Sequence, residues 1–371
     1  MVDLKAQHEK IGSEIDFAIK SVLNTTAFIK GPDVKLFEEE LQAFLGVKHV
    51  ISCANGTDAL QLALMALGLK PGDEVITTDF TFIATVEAVV LSGLKLVIVD
   101  PEPGSFNISV EAVRKALTPK TKAIVPVHLF GQCADMESIM ELAKKYNLFV
   151  IEDAAQTTGA DYFFRDGTIK KAGTIGQIGT TSFFPSKNLG CYGDGGALYT
   201  NDDALAEKLR SIANHGMKTR YQYDDIGINS RLDSIQAAIL RVKLRYLSQF
   251  NESRRAVADL YDAAFAGSRS IIVPERVSYS SHIFHQYTIR MKNGERDELK
   301  KFLKSKNIPS MVYYPGPLHL QQAYRFLGYG ENEFPVTAAL CKEVLSLPMY
   351  PEMEQEQIDY IILNVLKFFD K

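Results

Sequence analysis

Short apolar runs alternate with helix-patterned stretches through the first two-thirds of the chain, and that alternation leaves few architectures open. The runs His49–Cys53, Glu74–Thr78, Leu94–Asp100, Lys122–His128, Leu148–Asp153, Thr180–Phe184 and Gly196–Asn201 read as strands. Helical spacing covers Asp58–Leu67, Phe82–Leu91, Ala134–Tyr146 and Asp203–Asn214. Segments such as LKLVIV and LFVI are apolar nearly throughout, as strands are when helices cover both faces of their sheet. Pro71-Gly72-Asp73 marks a turn between helix and strand. The expectation is an α/β fold built on a mostly parallel, doubly wound sheet.

From about Ser230 the texture changes. A helix-prone stretch runs to Phe265 as one helix or two, followed by a strand over Gln286–Met291, a helix over Glu295–Lys306, a short strand near Met311–Tyr314, and terminal helices. The 371 residues suffice for two cores. We expect a large α/β domain over residues 1–245 and a small α+β domain over 246–371. No repeat or low-complexity linker separates them.

Charge and cysteine usage narrow the function classes. With 41 basic and 45 acidic residues the net charge is −4, which offers no electrostatic footprint for nucleic acid. The apolar stretch Val86–Val99 is interrupted by Lys95 and is too short to span a bilayer. MVDLKAQHEK lacks the apolar core of a signal peptide, so a cytoplasmic protein is expected. Cys53, Cys133, Cys191 and Cys341 form no CxxC pair, and no HExxH occurs, so neither a disulfide framework nor a metal site is expected.

In open α/β sheets ligands bind beyond the carboxyl ends of the strands, and three polar groups fall there. Asn55-Gly56-Thr57-Asp58 joins a strand to a helix, where glycine and free N–H groups suit an anion. A plain capped turn, with Thr57 or Asp58 as N-cap, is the competing reading. Asp153 ends the strand LFVIED and wants a cationic partner there, unless it is a helix cap or a structural ion pair. Glu152 alternates to the opposite face. Lys187, in TTSFFPSKNLGCYGDGGA, lies just past the strand carrying Ser182. An ordered apolar loop lowers a lysine's pKa and makes it a nucleophile toward carbonyls, whereas most lysines are solvated surface charges. Gly190, Gly193, Gly195 and Gly196 lack the spacing of a dinucleotide fingerprint, which disfavours a nicotinamide-dependent dehydrogenase, and no P-loop is present.

Taken in order, SCANGTDAL, IEDAAQTTGA, TSFFPSKNLGCYGDGG and INSRLDSIQAAIL resemble the pyridoxal-phosphate-dependent nucleotide-sugar aminotransferases of the DegT/DnrJ/EryC1/StrS family. The resemblance runs from VDLKAQ to LSLPMYP. It implies fold type I, the aspartate-aminotransferase-like fold of pyridoxal-phosphate enzymes, and the cofactor pyridoxal 5'-phosphate with its pyridoxamine form. By position it implies that Lys187 carries the cofactor and moves the proton, Asp153 faces the pyridine nitrogen, Gln156 the ring hydroxyl, and Phe82 stacks on the ring. Gly56, Thr57 and Ser182 would hold the phosphate, with Asn229 reaching it from the neighbouring subunit of a homodimer. Tyr314, His319 and Arg231 are the candidate substrate contacts, with packing or a rim salt bridge as the competing reading for all three. L-glutamate, leaving as 2-oxoglutarate, is the implied donor.

A nucleotide-linked keto-sugar is the implied acceptor. The closest look is to enzymes that aminate C3 of a UDP-linked 3-keto N-acetylated hexuronic acid, with dTDP-linked 3-keto or 4-keto deoxysugars as the alternative. A relative group that dehydrates its sugar carries histidine in place of the lysine, and here the position is Lys187. A non-catalytic regulator on the same fold would be marked by loss of Lys187 or Asp153, and both are present. The chain departs from the family at Tyr313-Tyr314, where many relatives have His-Tyr, and at Tyr223 in RYQY, where others have histidine.

Overall fold

Seven of the apolar runs assemble into one sheet. In chain order they are β1 His49–Cys53, β2 Glu74–Thr78, β3 Lys95–Val99, β4 Thr121–Val125, β5 Phe149–Asp153, β6 Ile178–Ser182 and β7 Gly196–Thr200. The order across the sheet is β1-β7-β6-β5-β4-β2-β3. The neighbours from β6 through to β3 pair in parallel, while β7 runs antiparallel to both β1 and β6. The computed structural model describes residues 1–291 and 293–369; residues 292, 370 and 371 of the expected C-terminal domain lie outside the described residues. No helix among them is long and apolar enough to cross a membrane.

Helices cover the sheet because the loops after its strands cap them. Asn55 opens α3 (Gly56–Ala66), Ser109 opens α5 (Val110–Ala116), Asp135 opens α6 (Met136–Tyr146) and Asp202 opens α7 (Asp203–Ile212), each side chain accepting a first-turn N–H. α4 (Ala84–Leu91) has no side-chain cap and is held by burial of Ala84, Thr85, Val86, Ala88 and Val89. Two helices ahead of the sheet, α1 (Leu4–Thr25) and α2 (Pro32–Leu45), pack against α8 (Ser234–Leu244). The helix-prone stretch after Ser230 is two helices, α8 and α9 (Leu247–Phe265), parted at Arg245 and Tyr246.

A second core lies in the C-terminal part, where β8 (Tyr287–Arg290) and β9 (Val344–Leu347) pair antiparallel beside α10 (Arg296–Ser305) and α12 (Gln355–Phe369). Val257, Tyr261, Phe284, Leu299, Leu345 and Phe368 are buried in it. α11 (Pro335–Glu343) runs straight into β9, a strand hidden within the expected terminal helices. In place of a strand near Met311–Tyr314 there is one bridge, Met311 to Ser346, and a cis peptide joins Tyr313 to Tyr314. The C-terminal sequence also returns to the sheet: Leu318, Tyr324 and Phe334 pack in the same core as α3 and α4. Asp100, just past β3, accepts the Val336 and Thr337 N–H groups at 3.0 and 2.9 Å and so caps α11.

Candidate active site

The parallel strands end on one side, and the polar groups singled out above collect there. Asn55 is the N-cap of α3, its Oδ1 accepting the Asp58 N–H at 2.8 Å. Thr57 and Asp58 are therefore inside the helix, and the first-turn N–H groups of Gly56 and Thr57 have no partner within it. Across from them stands Ser182, the last residue of β6. A Cβ on Gly56 would lie 2.7 Å from the Ser182 Cβ and 3.2 Å from its Oγ. Gly196, opposite both Cys53 and Ser182 in the sheet, brings the two backbones together, since a Cβ there would lie 2.5 Å from the Asn55 carbonyl. Two main-chain donors and two hydroxyls, on Thr57 and Ser182, thus share a cradle sized for an anion.

Asp153 ends β5 and is 6% exposed. Its Oδ2 accepts the Thr85 hydroxyl at 2.8 Å and its Oδ1 the Ala155 N–H at 3.2 Å. Both partners are neutral, and among the described residues no cation forms an ion pair with this carboxylate. Glu152, on the other face, is fully buried and consumed by the fold. It accepts His128 Nε2 at 2.9 Å and the N–H groups of Gly173, Ile175 and Gly176 at 2.9, 2.6 and 2.6 Å. Lys187 closes the turn after β6, its N–H donating to the Phe184 carbonyl at 2.8 Å. It is half-buried, and burial lowers its pKa to about 8 against the opposing pull of the Asp153 charge. A solvated lysine would show neither effect.

The walls are amide and aromatic. Gln156 accepts the Phe130 N–H at 2.8 Å and donates to the Tyr314 hydroxyl at 3.3 Å. Burial raises the Tyr314 phenol's pKa, with the Gln156 bond working against it. Phe82 is 56% exposed, its ring centre 6.4 Å from that of Tyr314. A buried carboxylate, an amine of lowered pKa, an anion cradle and an open aromatic face gather at the carboxyl ends of the central strands. The sequence profile of the DegT/DnrJ/EryC1/StrS aminotransferase family matches residues 9–366.

The chain belongs to that family. The aminotransferase is 45% identical to the UDP-2-acetamido-2-deoxy-3-oxo-D-glucuronate aminotransferase of Pseudomonas aeruginosa, over 97% of each chain. It is 48% identical to a "pleiotropic regulatory protein" of Geobacillus stearothermophilus, over 100% of this chain and 98% of that one. The solved structure of S. venezuelae DesV in complex with a ketimine intermediate superposes with a TM-score of 0.95 at 39% identity, covering 100% of this chain and 98% of that one. The family depends on pyridoxal phosphate, and the site fits that group: Gly56, with no side chain, lets the start of α3 close on Ser182 so that free N–H groups and hydroxyls meet, and Asp153 and Lys187 supply opposite charges beside them.

Not every expected residue of the aminotransferase joins this group. His319 is the correction. It is 1% exposed, bonded to Asp79 and enclosed by Phe334 and Tyr329, so its ring is closed to substrate. Asn229 is exposed, its main chain bridged to Asn214, and Arg231 lines a cleft with Lys30, Glu38 and Arg210. Among the described residues, neither is bonded to Lys187, Asp153 or Ser182. Tyr223 lies on an exposed hairpin, Met217–Thr219 with Gln222–Tyr223. Thr85 was missed by sequence reasoning, although a hydroxyl inside the apolar run ATVEAVVL is a signal that it has a partner.

Proposed function

We propose that this aminotransferase moves the amino group of L-glutamate onto C3 of a UDP-linked 3-keto N-acetylated hexuronic acid. The observation that carries the reading is the pairing of Lys187 with Asp153 in a site whose relative of the same overall length, 45% identical, bears that activity in its name. Bound pyridoxal phosphate supplies a carbonyl carbon that receives the amine and an electron sink for the carbanion that follows.

The chain's own residues do the rest. Gly56 and Thr57 donate main-chain N–H groups to the phosphate, and Thr57 and Ser182 add hydroxyls. Asp153 holds the ring nitrogen protonated by an opposite charge at close range, and Thr85 keeps that carboxylate aimed. With a pKa of about 8, about a tenth of the Lys187 amine is uncharged at pH 7, far more than for an ordinary lysine. Its Nζ serves as covalent handle and then carries the proton between substrate carbon and cofactor. Phe82 covers one ring face and keeps water off it, while Gln156 reaches the ring hydroxyl and links it to Tyr314.

Asn229 is exposed and Arg231 lines a cleft, which suits a homodimer in which each copy completes the other's site, Asn229 at the phosphate and Arg231 at the substrate. In this reading residues 1–245 hold the cofactor, while the sequence after 246 adds the Tyr314 wall.

The test is a visible spectrum of the purified protein with pyridoxal phosphate, before and after L-glutamate, followed by mass spectrometry with the UDP-linked keto-sugar. We expect a yellow protein that glutamate bleaches, a Lys187→Ala variant that glutamate does not turn over, and an aminated sugar. A protein that stays colourless with added cofactor overturns the reading in favour of a regulator. Bleaching with amination only of dTDP-linked sugars overturns the substrate.

A further inference from the structure

Asp79 and His319 lie outside the cofactor cradle, and both are almost fully buried, at 1% exposure each. One carboxylate takes two bonds from one residue: Asp79 Oδ1 accepts the His319 main-chain N–H at 2.9 Å and Oδ2 accepts Nδ1 at 2.6 Å. Burial raises the Asp79 pKa, with the His319 contacts working against it, and the 2.6 Å contact leaves one proton between Oδ2 and Nδ1. The opposite nitrogen, Nε2, is buried without a partner among the described residues, and the ring is boxed edge-on by Phe334 at 4.8 Å and Tyr329 at 6.4 Å. Asp79 is thus the single hydrogen-bond partner that the His319 side chain has among the described residues.

The pair joins two segments that are 240 residues apart in the chain. Asp79 follows the last residue of β2 and precedes Phe80-Thr81-Phe82, whose Phe82 ring lies over the site. His319 ends the segment that begins with Tyr314, the opposite wall. Phe80 meets Tyr314 edge-on at 5.8 Å, and Thr81 bonds Thr85, which in turn holds Asp153. Phe82 itself has only a loose 6.4 Å contact with Tyr314. The spacing of the two walls is therefore set one step behind them.

We propose that Asp79 and His319 are positioning residues for transamination, a buried clasp that ties the strand end carrying Phe82 to the segment carrying Tyr314 and so fixes where Tyr314 meets Gln156 and Phe82 at the rim of the cofactor site. This rests on the reading of Phe82 as stacking on the cofactor ring, of Gln156 as reaching its hydroxyl and of Tyr314 as a substrate contact. A short buried bond aimed this way matters through geometry, because displacing a reacting group by about 1 Å costs on the order of a hundredfold in rate.

The experiment compares His319→Asn, whose amide nitrogen can stand where Nδ1 stands, with His319→Gln, whose amide is displaced by a bond, and with Asp79→Asn. Three readouts are taken well below each melting temperature: pyridoxal phosphate affinity of the apoprotein, visible circular dichroism of the bound cofactor, and the single-turnover rate with L-glutamate. We expect His319→Gln and Asp79→Asn to lose about tenfold or more in rate and affinity and to change the dichroic band. His319→Asn should restore most of both. A purely structural pair predicts lower melting temperatures in all three with wild-type dichroism and rate in the folded protein, and that result overturns the proposal. Equal loss in His319→Asn and His319→Gln overturns it too, since the donor position would not matter. Failure of the wild type to bind pyridoxal phosphate would instead refute the functional reading, before any variant is made.

Discussion

Replacing Gly56 by alanine tests the anion cradle directly. The added Cβ would sit 2.7 Å from the Ser182 Cβ and 3.3 Å from its Cα, against an ordinary carbon–carbon contact of about 3.5–4.0 Å. Neither atom belongs to a flexible side-chain tip, so α3 and β6 must part by roughly 1 Å to restore that contact. Overpacking of this kind costs about 1–3 kcal/mol. The gain from replacing a helical glycine offsets less than about 1 kcal/mol of it. The net loss of roughly 1–2 kcal/mol falls where the phosphate donors converge, and expressed in binding it corresponds to a rise of about five- to thirtyfold in the cofactor's dissociation constant. Titration of the apoprotein with pyridoxal phosphate, monitored at the visible band, measures that constant, and a urea melt of the apoprotein measures the stability. Gly56→Ala with Ser182→Gly removes the colliding Cβ, so the double variant should recover stability yet bind weakly for want of the Ser182 hydroxyl. Wild-type affinity and urea midpoint in Gly56→Ala would refute the close approach of α3 to β6.

Two further outcomes concern charge. Because burial lowers the Lys187 pKa from 10.5 to about 8, the unfolded chain binds more protons than the folded one between those values, and apoprotein stability rises with pH across that window. Lys187→Met should therefore melt higher than wild type at pH 7, with the gap closing by pH 10; parallel curves at all pH values would contradict the burial argument. Glu152→Gln places an amide N–H among the four donors that now converge on the carboxylate and should cost about 2 kcal/mol or more in a urea melt. The position of the cofactor band should not move, whereas a shifted band would mean that Glu152 acts on the ring.

The sheet was legible because short β-branched and apolar runs, some such as LKLVIV and LFVI apolar nearly throughout, alternate with helix patterns, and the site because ligands gather where such strands end. Asp153, Ser182 and Lys187 are each the last residue of a strand or a few residues past one, so locating strands nearly located them. Their roles came from the ordered motifs, since geometry alone leaves an aspartate free to be a cap. What stayed hidden depends on contacts between distant segments. Periodicity offered no reason to bring Asp79 to His319, and His319 in PGPLHLQ reads as well for an open ligand as for a buried clasp. β9 was lost because VLSL abuts α11 without a turn residue, and the Tyr313-Tyr314 segment looked like a strand because aromatic and β-branched residues favour extended backbone. Asn55 displaced Thr57 as the cap of α3, a shift of two residues that changes which N–H groups are left for an anion.

The return of Leu318, Tyr324 and Phe334 to the core beneath α3 and α4 has a consequence for how the polypeptide is made. All seven strands of the sheet have left the ribosome once Thr200 is clear, but the face that those three residues cover stays bare until the chain has grown well past Phe334. At translation speeds of about 5–20 residues per second, that interval is on the order of ten seconds, long against the collapse of a nascent sheet. Throughout it an apolar surface is open to chaperones and to neighbouring chains on the same polysome. Truncation anywhere between the sheet and α11 would make that exposure permanent, so nonsense products ending there should be insoluble although every strand of the sheet is present.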